Sequence, residues 1–388
     1  MSTTPRIAYT KFRPMMESCT LPPGWVPGTA FAKIWCDPPL FHSAGARSIL
    51  VRMDTLLLSD HDVRALLPMA ECIEVMELAL RSLAEGKSIL PLRTVIRLAD
   101  SPNAFATMPA VLGTGPGASV GAKIITVFPG NDATPYDSHI GVVLLFDTAR
   151  GSLLAIADAS SITAIRTAAV SGVATRVLAR DDASELALLG AGVLALPHLE
   201  AMRAVRPIHR VRVWSRSVER AEDFAERAAP LDDIEVTVCE RAREAVAGAH
   251  IVCTITASRT PVLEGAWIAP GTHINAVGAS LPTARELDSA AVKQARFFVD
   301  RRESARTESG DFLLARSEGA VGDSHILGEL GELLLGKMTG RLNDGQKTLF
   351  KSLGLAVEDV AAVRHIYEKA RTTGAGTSIA LGGLRAHD

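Results

Sequence analysis

The sequence predicts an α/β fold: a doubly wound parallel sheet joined to a second α/β unit. Three observations carry this expectation. Beyond Asp182, short β-branched runs alternate strictly with helix-period segments, the pattern of βαβ units and a parallel sheet. Before it, strand-like runs follow one another between turn residues, which suggests strands paired in sequence order. The chain has 388 residues, more than the ~250–300 at which single cores stop growing, so two domains are expected.

Taken in order, residues 1–52 mix Pro, Gly and aromatic residues without a sustained period, as in LPPGWVPGTAF, and read as an extension. They lack the basic start, apolar middle and small-residue cleavage site of a secretory signal. Met53 precedes a strand-like LLL and a Ser59-Asp60 helix start, which makes it a candidate first residue of the translated protein. DHDVRALLP and the amphipathic AECIEVMELALRSLAEGK then predict two helices, with Gly86 as the stop of the second. RTVIRLA, GAKIITVF and GVVLLFD read as strands, and a helix from about Thr163 to Leu178 leads out of this unit. The alternating half follows: strand ELALLG, helix 193–204, strand RVRVW, helix 217–228, strand IEVTVC, helix 240–247, strands HIVCTI and THINAVG, and one more strand in FFVD at 297–300. After about Ser352 the chain reads as helical, has no sheet of its own, and is expected to pack on the first unit.

Composition narrows the function. With 47% hydrophobic residues, 22% charged residues and a net charge of −2, the chain has the profile of a soluble globular protein and gives no reason to expect nucleic-acid binding. No apolar run approaches the ~18–20 residues needed to cross a bilayer, so no membrane role is expected. Cys19, Cys36, Cys72, Cys239 and Cys253 form no CxxC pair, and the ten histidines form no HxxxH or HExxH pair, so no metal site is indicated. Reduced thiols fit a cytoplasmic location.

The sharpest chemical signal is Gly190-Ala191-Gly192-Val193-Leu194-Ala195, a GxGxxA directly after a strand and at the start of a helix. Such a loop is the phosphate turn of a Rossmann fold. The first glycine permits the turn, the second admits a pyrophosphate, and Ala195 allows close helix–strand packing. At the end of the second strand, where a carboxylate would hold the ribose of NAD, the sequence reads Trp214-Ser215-Arg216-Ser217. A hydroxyl and a guanidinium suit the 2′-phosphate of NADPH, with NADH as the alternative. Three cations, Arg93, Lys123 and Arg166, each sit in an otherwise apolar stretch. Burying a cation is costly without an anion, so each is a candidate for binding a carboxylate ligand. An internal salt bridge or a snorkelling surface position is the competing reading for each. His139 and His198 read as packing or surface residues.

In the same order along the chain stand PLRTV, MPA at 108–110, GAKI, FPGN, LLFD, ITAIRTAAVS, GAGVLA, PGTHINAVGAS, RELD at 285–288, ESGD at 308–311 and LFKSLGLAVED. Together they resemble the ornithine cyclodeaminase and mu-crystallin family from about Met53 to about Ala370, and most closely its ketimine reductase branch. The resemblance implies a homodimer with a substrate and dimerisation domain from residues 53–172 and 353–388, and a Rossmann domain from 173–352. It implies that Arg93, Lys123 and Arg166 bind the carboxylate of an imino or amino acid, with Lys123 also placed to move a proton. Gly190, Gly192, Val193, Leu194, Ser215, Arg216, Thr256, Val277, Gly278 and Ala279 are the expected cofactor-binding residues. Asp311 is expected either to orient a cation of the site or to serve a helix N-terminus.

Two departures separate the chain from the cyclodeaminase branch: Ala106 and Ser280 stand where acidic residues would handle a substrate's amino groups. Leu194 also replaces a glutamine common in the phosphate loop. The expected activity is therefore reduction of a cyclic imino acid, Δ1-pyrroline-2-carboxylate or Δ1-piperideine-2-carboxylate, to L-proline or L-pipecolate. Ornithine cyclodeamination and an alanine-type amino-acid dehydrogenase are the rivals within the fold. A non-catalytic NADPH- or ligand-binding protein is the rival from another class.

Overall fold

Two sheets and the helices between them account for the architecture of the computed structural model, which describes residues 54–231 and 233–382. The extension and the candidate start at Met53 lie outside the described residues. The first part of the chain supplies β1 (Asp54–Leu58), α1 (Asp60–Leu66), α2 (Met69–Ala84), β2 (Thr94–Arg97), β3 (Ala104–Leu112), β4 (Ser119–Val127), β5 (His139–Phe146), β6 (Leu153–Asp158) and α3 (Ala159–Leu178). Helix α1 begins where Ser59 and Asp62 cap one another, and α2 ends before Gly86, whose φ of +72° is costly for any residue with a side chain.

Strands β2 to β6 pair antiparallel in sequence order, as the turn-separated runs predict. The sheet has seven strands in the order β15-β1-β6-β5-β4-β3-β2, where β15 (Thr377–Ala380) returns from the C-terminal end of the described chain. Strands β3, β6 and β15 are additions to the sequence reading. In β3 the buried positions are Ala104, Ala106, Met108, Ala110 and Leu112, a period of two carried mostly by alanine, which has little β preference of its own. Helix α3 starts at Ala159, four residues before the expected start, because the Asp158 carboxylate accepts the amide of Ser161 at 2.7 Å and caps it there.

The second sheet has eight strands, all parallel, in the order β13-β12-β14-β11-β10-β7-β8-β9. They are β7 (Glu185–Leu189), β8 (Arg210–Trp214), β9 (Glu235–Val238), β10 (Ile251–Thr254), β11 (His273–Ala276), β12 (Arg296–Val299), β13 (Ile326–Glu329) and β14 (Thr348–Lys351). Helices alternate with them: α4 (Ala195–Val205), α5 (Val218–Ala228), α6 (Ala242–Val246), α7 (Ser289–Gln294), α8 (Arg302–Glu308), α9 (Gly310–Ser317) and α10 (Leu330–Leu334). The strand order reverses between β7 and β10, the crevice where doubly wound sheets bind their ligands. This is the Rossmann-type sheet that the alternating pattern predicts, accompanied by a second α/β layer.

Helix α3 is buried on nearly every side, which fits its apolar circumference and its contacts with α2, α4 and both sheets. Gly172 lets it approach α2 and α4: a methyl group there would lie 3.1 Å from Ile73 Cδ1 and 3.5 Å from Ala201 Cβ. Each fully buried Val or Ile on it, such as Ile162, Val170 and Val173, contributes about 1.5–3 kcal/mol by leaving water. Helix α11 (Ala356–Thr373) lies across β3, β4 and β5, so the C-terminal segment does pack on the first sheet. No helix among the described residues is long and apolar enough to cross a membrane.

Candidate active site

The glycine loop joins β7 to α4 at the reversal of strand order. Gly190 has a φ of +120°, and a Cβ there would come within 2.8 Å of the Ile255 carbonyl oxygen, so both conformation and space demand glycine. Gly192 differs: a Cβ would meet nothing within 4 Å, and the position is exposed. Among the described residues the amides of Ala191, Gly192, Val193 and Leu194 donate to no protein acceptor. Four free N–H groups before a helix, with open space over Gly192, fit a pyrophosphate. Val193 is exposed, and Ala195 is buried against the sheet as the fingerprint requires. Leu194 packs partly on the core, so its replacement of glutamine leaves the backbone donors intact.

At the end of β8, Ser215 is half-buried and Arg216 is exposed, with no ion pair for Arg216 among the described residues. Ser217 is committed to α5: its hydroxyl accepts the Arg220 amide at 3.3 Å and donates to Glu219 at 2.7 Å. At the other end of the crevice, Thr256 follows β10, and Val277, Gly278 and Ala279 follow β11. A Cβ on Gly278 would fall 2.0 Å from the Thr256 carbonyl oxygen, so these two loops touch.

Arg93, Lys123 and Arg166 come from three elements and converge on one helix start. Arg93 immediately precedes β2, Lys123 is central in β4 opposite Met108 and Val143, and Arg166 is in the second turn of α3. They meet the loop before α11 and its first turn, where Glu358 and Asp359 are fully buried. Lys123 Nζ donates to Asp359 at 3.0 Å and, at 3.4 Å, to Thr163 Oγ1. Arg166 Nε donates to Asp359 at 2.9 Å, and its Nη1 to Glu358 at 2.6 Å. Arg93 Nη2 donates to the carbonyls of Leu353 and Gly354 at 2.8 and 3.1 Å and pairs with Glu308 at 3.0 Å.

Internal carboxylates thus meet all three cations, so the salt-bridge reading applies to each. It does not use every donor. Nε and Nη1 of Arg93 have no acceptor among the described residues, and Arg93 lines a small pocket with Leu90, Met108, Ser304 and Leu355. Gly354, with φ +79°, seats the Arg166 guanidinium: a Cβ there would lie 2.7 Å from Nη1.

Electrostatics follow from burial. Lys123 is pulled down to about 8, first by burial and then by the nearby Arg166 charge, against the pull of Asp359. Burial pushes Glu358 up to about 7, although Arg166 opposes it. Burial also raises Asp300, whose carboxylate accepts the amides of Leu353 and Gly354 at 2.5 and 2.8 Å and so fixes the turn that carries Arg93's acceptors. A lysine near 8 is mostly charged at neutral pH yet releases its proton readily, the property a general acid needs.

Glu358, Asp359, Asp300 and Gly354 escape the sequence reading. Glu358 and Asp359 look like ordinary first-turn acids of a helix, which the helix dipole alone would explain. Asp311 does orient a cation, but one away from the three: it pairs with fully buried Lys351 at 2.9 Å. His198 is buried between the Leu194 carbonyl at 2.8 Å and Ser171 at 3.1 Å, and burial lowers it to about 4, which makes it a neutral packing residue. His139 lies on β5 with its Nδ1 3.0 Å from Ser138 Oγ. Ala106 is buried in β3 and Ser280 is exposed after β11. No group of His, Cys, Asp and Glu suited to a metal exists among the described residues.

Comparison with known proteins places the chain in a family. The chain is 40% identical over 299 residues to the ketimine reductase mu-crystallin of Mus musculus, covering 76% of this chain and 91% of that one. It is similar to the solved structure of Thermococcus litoralis Δ1-pyrroline-2-carboxylate reductase in complex with NADH and L-proline, with 39% identity, a TM-score of 0.81, and coverage of 84% and 100% of the two chains. An archaeal alanine dehydrogenase dimer with bound NAD matches at 32% identity and a TM-score of 0.79, over 85% of this chain and 100% of that one. The model of the ornithine cyclodeaminase/mu-crystallin family matches residues 53–374, and the chain belongs to that family.

Proposed function

We propose that this protein reduces the C=N bond of a cyclic imino acid of the Δ1-pyrroline-2-carboxylate or Δ1-piperideine-2-carboxylate type, yielding L-proline or L-pipecolate. The observation that carries the reading is the convergence of Arg93, Lys123 and Arg166 on the start of α11, with Arg93 donors unused and Lys123 near 8. With Arg93 Nη2 held by Leu353, Gly354 and Glu308, Nε and Nη1, which face different sides of the guanidinium, are the donors left for the substrate carboxylate. Lys123 holds a proton at Nζ for the imine nitrogen, which must be protonated to accept hydride. Asp359 and Thr163 fix the direction of that ammonium, and Arg166, held by Glu358 and Asp359, keeps its proton affinity low. When bound, the nicotinamide supplies the hydride. Val277, Gly278, Ala279 and Thr256 set the nicotinamide end of the crevice, and the free amides at 191–194 hold the pyrophosphate.

Within the same reading NADPH is preferred to NADH, supported by the unpaired Arg216 beside Ser215 and by the absence of a carboxylate at the end of β8. Residues 53–172 and 353–388 serve substrate binding and dimerisation, residues 173–352 bind the dinucleotide, and α3 runs from one to the other. A second copy covers the exposed Ile96 and Ile140, which lie in one row across the first sheet, and Leu98 beside them. Clustered apolar exposure of this kind marks an interface, and the similar archaeal alanine dehydrogenase is a dimer. The free thiols Cys72, Cys239 and Cys253 support a cytoplasmic location.

The test is NADPH and NADH oxidation at 340 nm with each imino acid, beside L-ornithine with NAD and ammonia detection. Imine-dependent oxidation abolished in Lys123→Met is the expected result. Ammonia and proline from ornithine would overturn it in favour of cyclodeamination, and inactivity with every substrate would favour a binding protein.

A further inference from the structure

Glu286, in the segment between β11 and α7, is fully buried and touches none of the three substrate-site cations. Its carboxylate collects four donors. Oε1 accepts from Thr256 N at 2.6 Å and Thr256 Oγ1 at 2.7 Å. Oε2 accepts from Gly278 N at 2.7 Å and Thr254 Oγ1 at 2.8 Å. One carboxylate thus spans the loop after β10 and the loop after β11, at the C-terminal ends of two interior strands beside the reversal of strand order.

The residue is itself held from behind. Asp311 Oδ1 accepts the amides of Glu286 and Leu287 at 2.8 and 3.0 Å, and Asp311 pairs with Lys351, both fully buried. The Glu286 carbonyl accepts the amides of Val262 and Leu263 at 2.7 and 3.0 Å. Burying an anion is costly unless its lone pairs are satisfied, and this one is satisfied on both oxygens. Because each oxygen faces a backbone N–H, a glutamine or a protonated acid would turn a donor against a donor in either orientation.

We propose that Glu286 is a positioning residue for the nicotinamide half of the cofactor: by joining Thr256 to Gly278 it sets the spacing of the two loops before the cofactor arrives. Preformed spacing spares the bound state an ordering cost and holds the reacting ring against the substrate. The inference rests on the proposed assignment of Thr256 and Val277–Ala279 to the nicotinamide.

The experiment compares full-length wild type, Glu286→Gln and the milder Thr254→Val by amide hydrogen exchange without cofactor, and by calorimetric titration with NADH and with ADP-ribose, which lacks the nicotinamide. Glu286→Gln speeds exchange over 255–258 and 277–280 and weakens NADH binding, each by at least ~10-fold, as loss of a charged hydrogen bond would. It lowers kcat and leaves ADP-ribose affinity within about twofold, and Thr254→Val moves each quantity the same way by less. Equal weakening of NADH and ADP-ribose, or unchanged exchange in both variants, overturns the proposal. Wild-type exchange under NADH separates the two layers. If NADH protects neither loop, the nicotinamide assignment fails; if it protects both and Glu286→Gln behaves as wild type, the role of Glu286 fails alone.

Discussion

Asp359→Asn tests the proton-donor assignment through a quantity that misfolding would not mimic. The Asp359 carboxylate is 3.0 Å from Lys123 Nζ and 2.9 Å from Arg166 Nε, so it is the anion that keeps Lys123 charged beside a second buried cation. With that charge removed, burial and Arg166 act on Lys123 unopposed by Asp359, and all of these changes lower its proton affinity. An opposite charge at this range is worth ~1–3 pH units, so the Lys123 midpoint moves from about 8 to ~5–7. A lysine whose protonated form is the active one loses activity as pH rises through its midpoint. For a shift of ~2 units, the protonated share at pH 7 falls about tenfold, and kcat/KM falls with it. The assay is kcat/KM for imino-acid reduction from pH 5 to 9.5. The alkaline limb of wild type is expected at about 8, and that of Asp359→Asn at lower pH. Glu358, raised to about 7 and bonded to Arg166, gives wild type an acid limb that Glu358→Gln removes. An alkaline limb that stays in place in Asp359→Asn, or moves upward, refutes Lys123 as the proton donor.

Three further outcomes follow from the same geometry. Gly190→Ala forces a side chain into φ +120° and against the Ile255 carbonyl, costing ~1–3 kcal/mol in urea unfolding. Gly192→Ala, in open space, leaves stability within ~0.5 kcal/mol and weakens cofactor binding instead; equal unfolding curves for the two variants would contradict this. Lys351→Met leaves Asp311 buried without its partner and is expected to cost ~3–5 kcal/mol, with a loss below ~1 kcal/mol counting against a paired charge there. Arg216→Ala lowers kcat/KM with NADPH ~10-fold and leaves NADH within about twofold, whereas an equal loss with both cofactors would remove Arg216 from 2′-phosphate recognition.

The parallel sheet was the most legible part of the chain, because strands buried on both faces must be apolar runs and their βα connections carry the turn residues. Gly190 has no freedom to be anything else at φ +120°. The antiparallel sheet was less legible where alanine fills the buried alternation, as in β3, and where a strand such as β15 is placed by its partner β1 rather than by its own residues. The same limit governs the site. A cation in an apolar stretch is visible in sequence because its burial must be compensated, but the compensating acids are not. Glu358 and Asp359 stand nearly 200 residues beyond Arg166 and more than 200 beyond Lys123, and only the laying of α11 across β4 and beside α3 brings them into register.

That register changes what the cations mean. Formally, Arg93, Lys123 and Arg166 face the four carboxylates of Asp300, Glu308, Glu358 and Asp359. The site is therefore not an unbalanced positive pocket waiting for an anion. In the proposed function, recognition of an imino-acid carboxylate falls to Nε and Nη1 of Arg93, the donors that meet no acceptor among the described residues. The deeply buried Lys123 and Arg166 are held by Glu358 and Asp359. The proposed function thereby divides binding and proton transfer between a partly exposed arginine and an enclosed lysine, and a substitution at either should alter one step without reproducing the loss of the other.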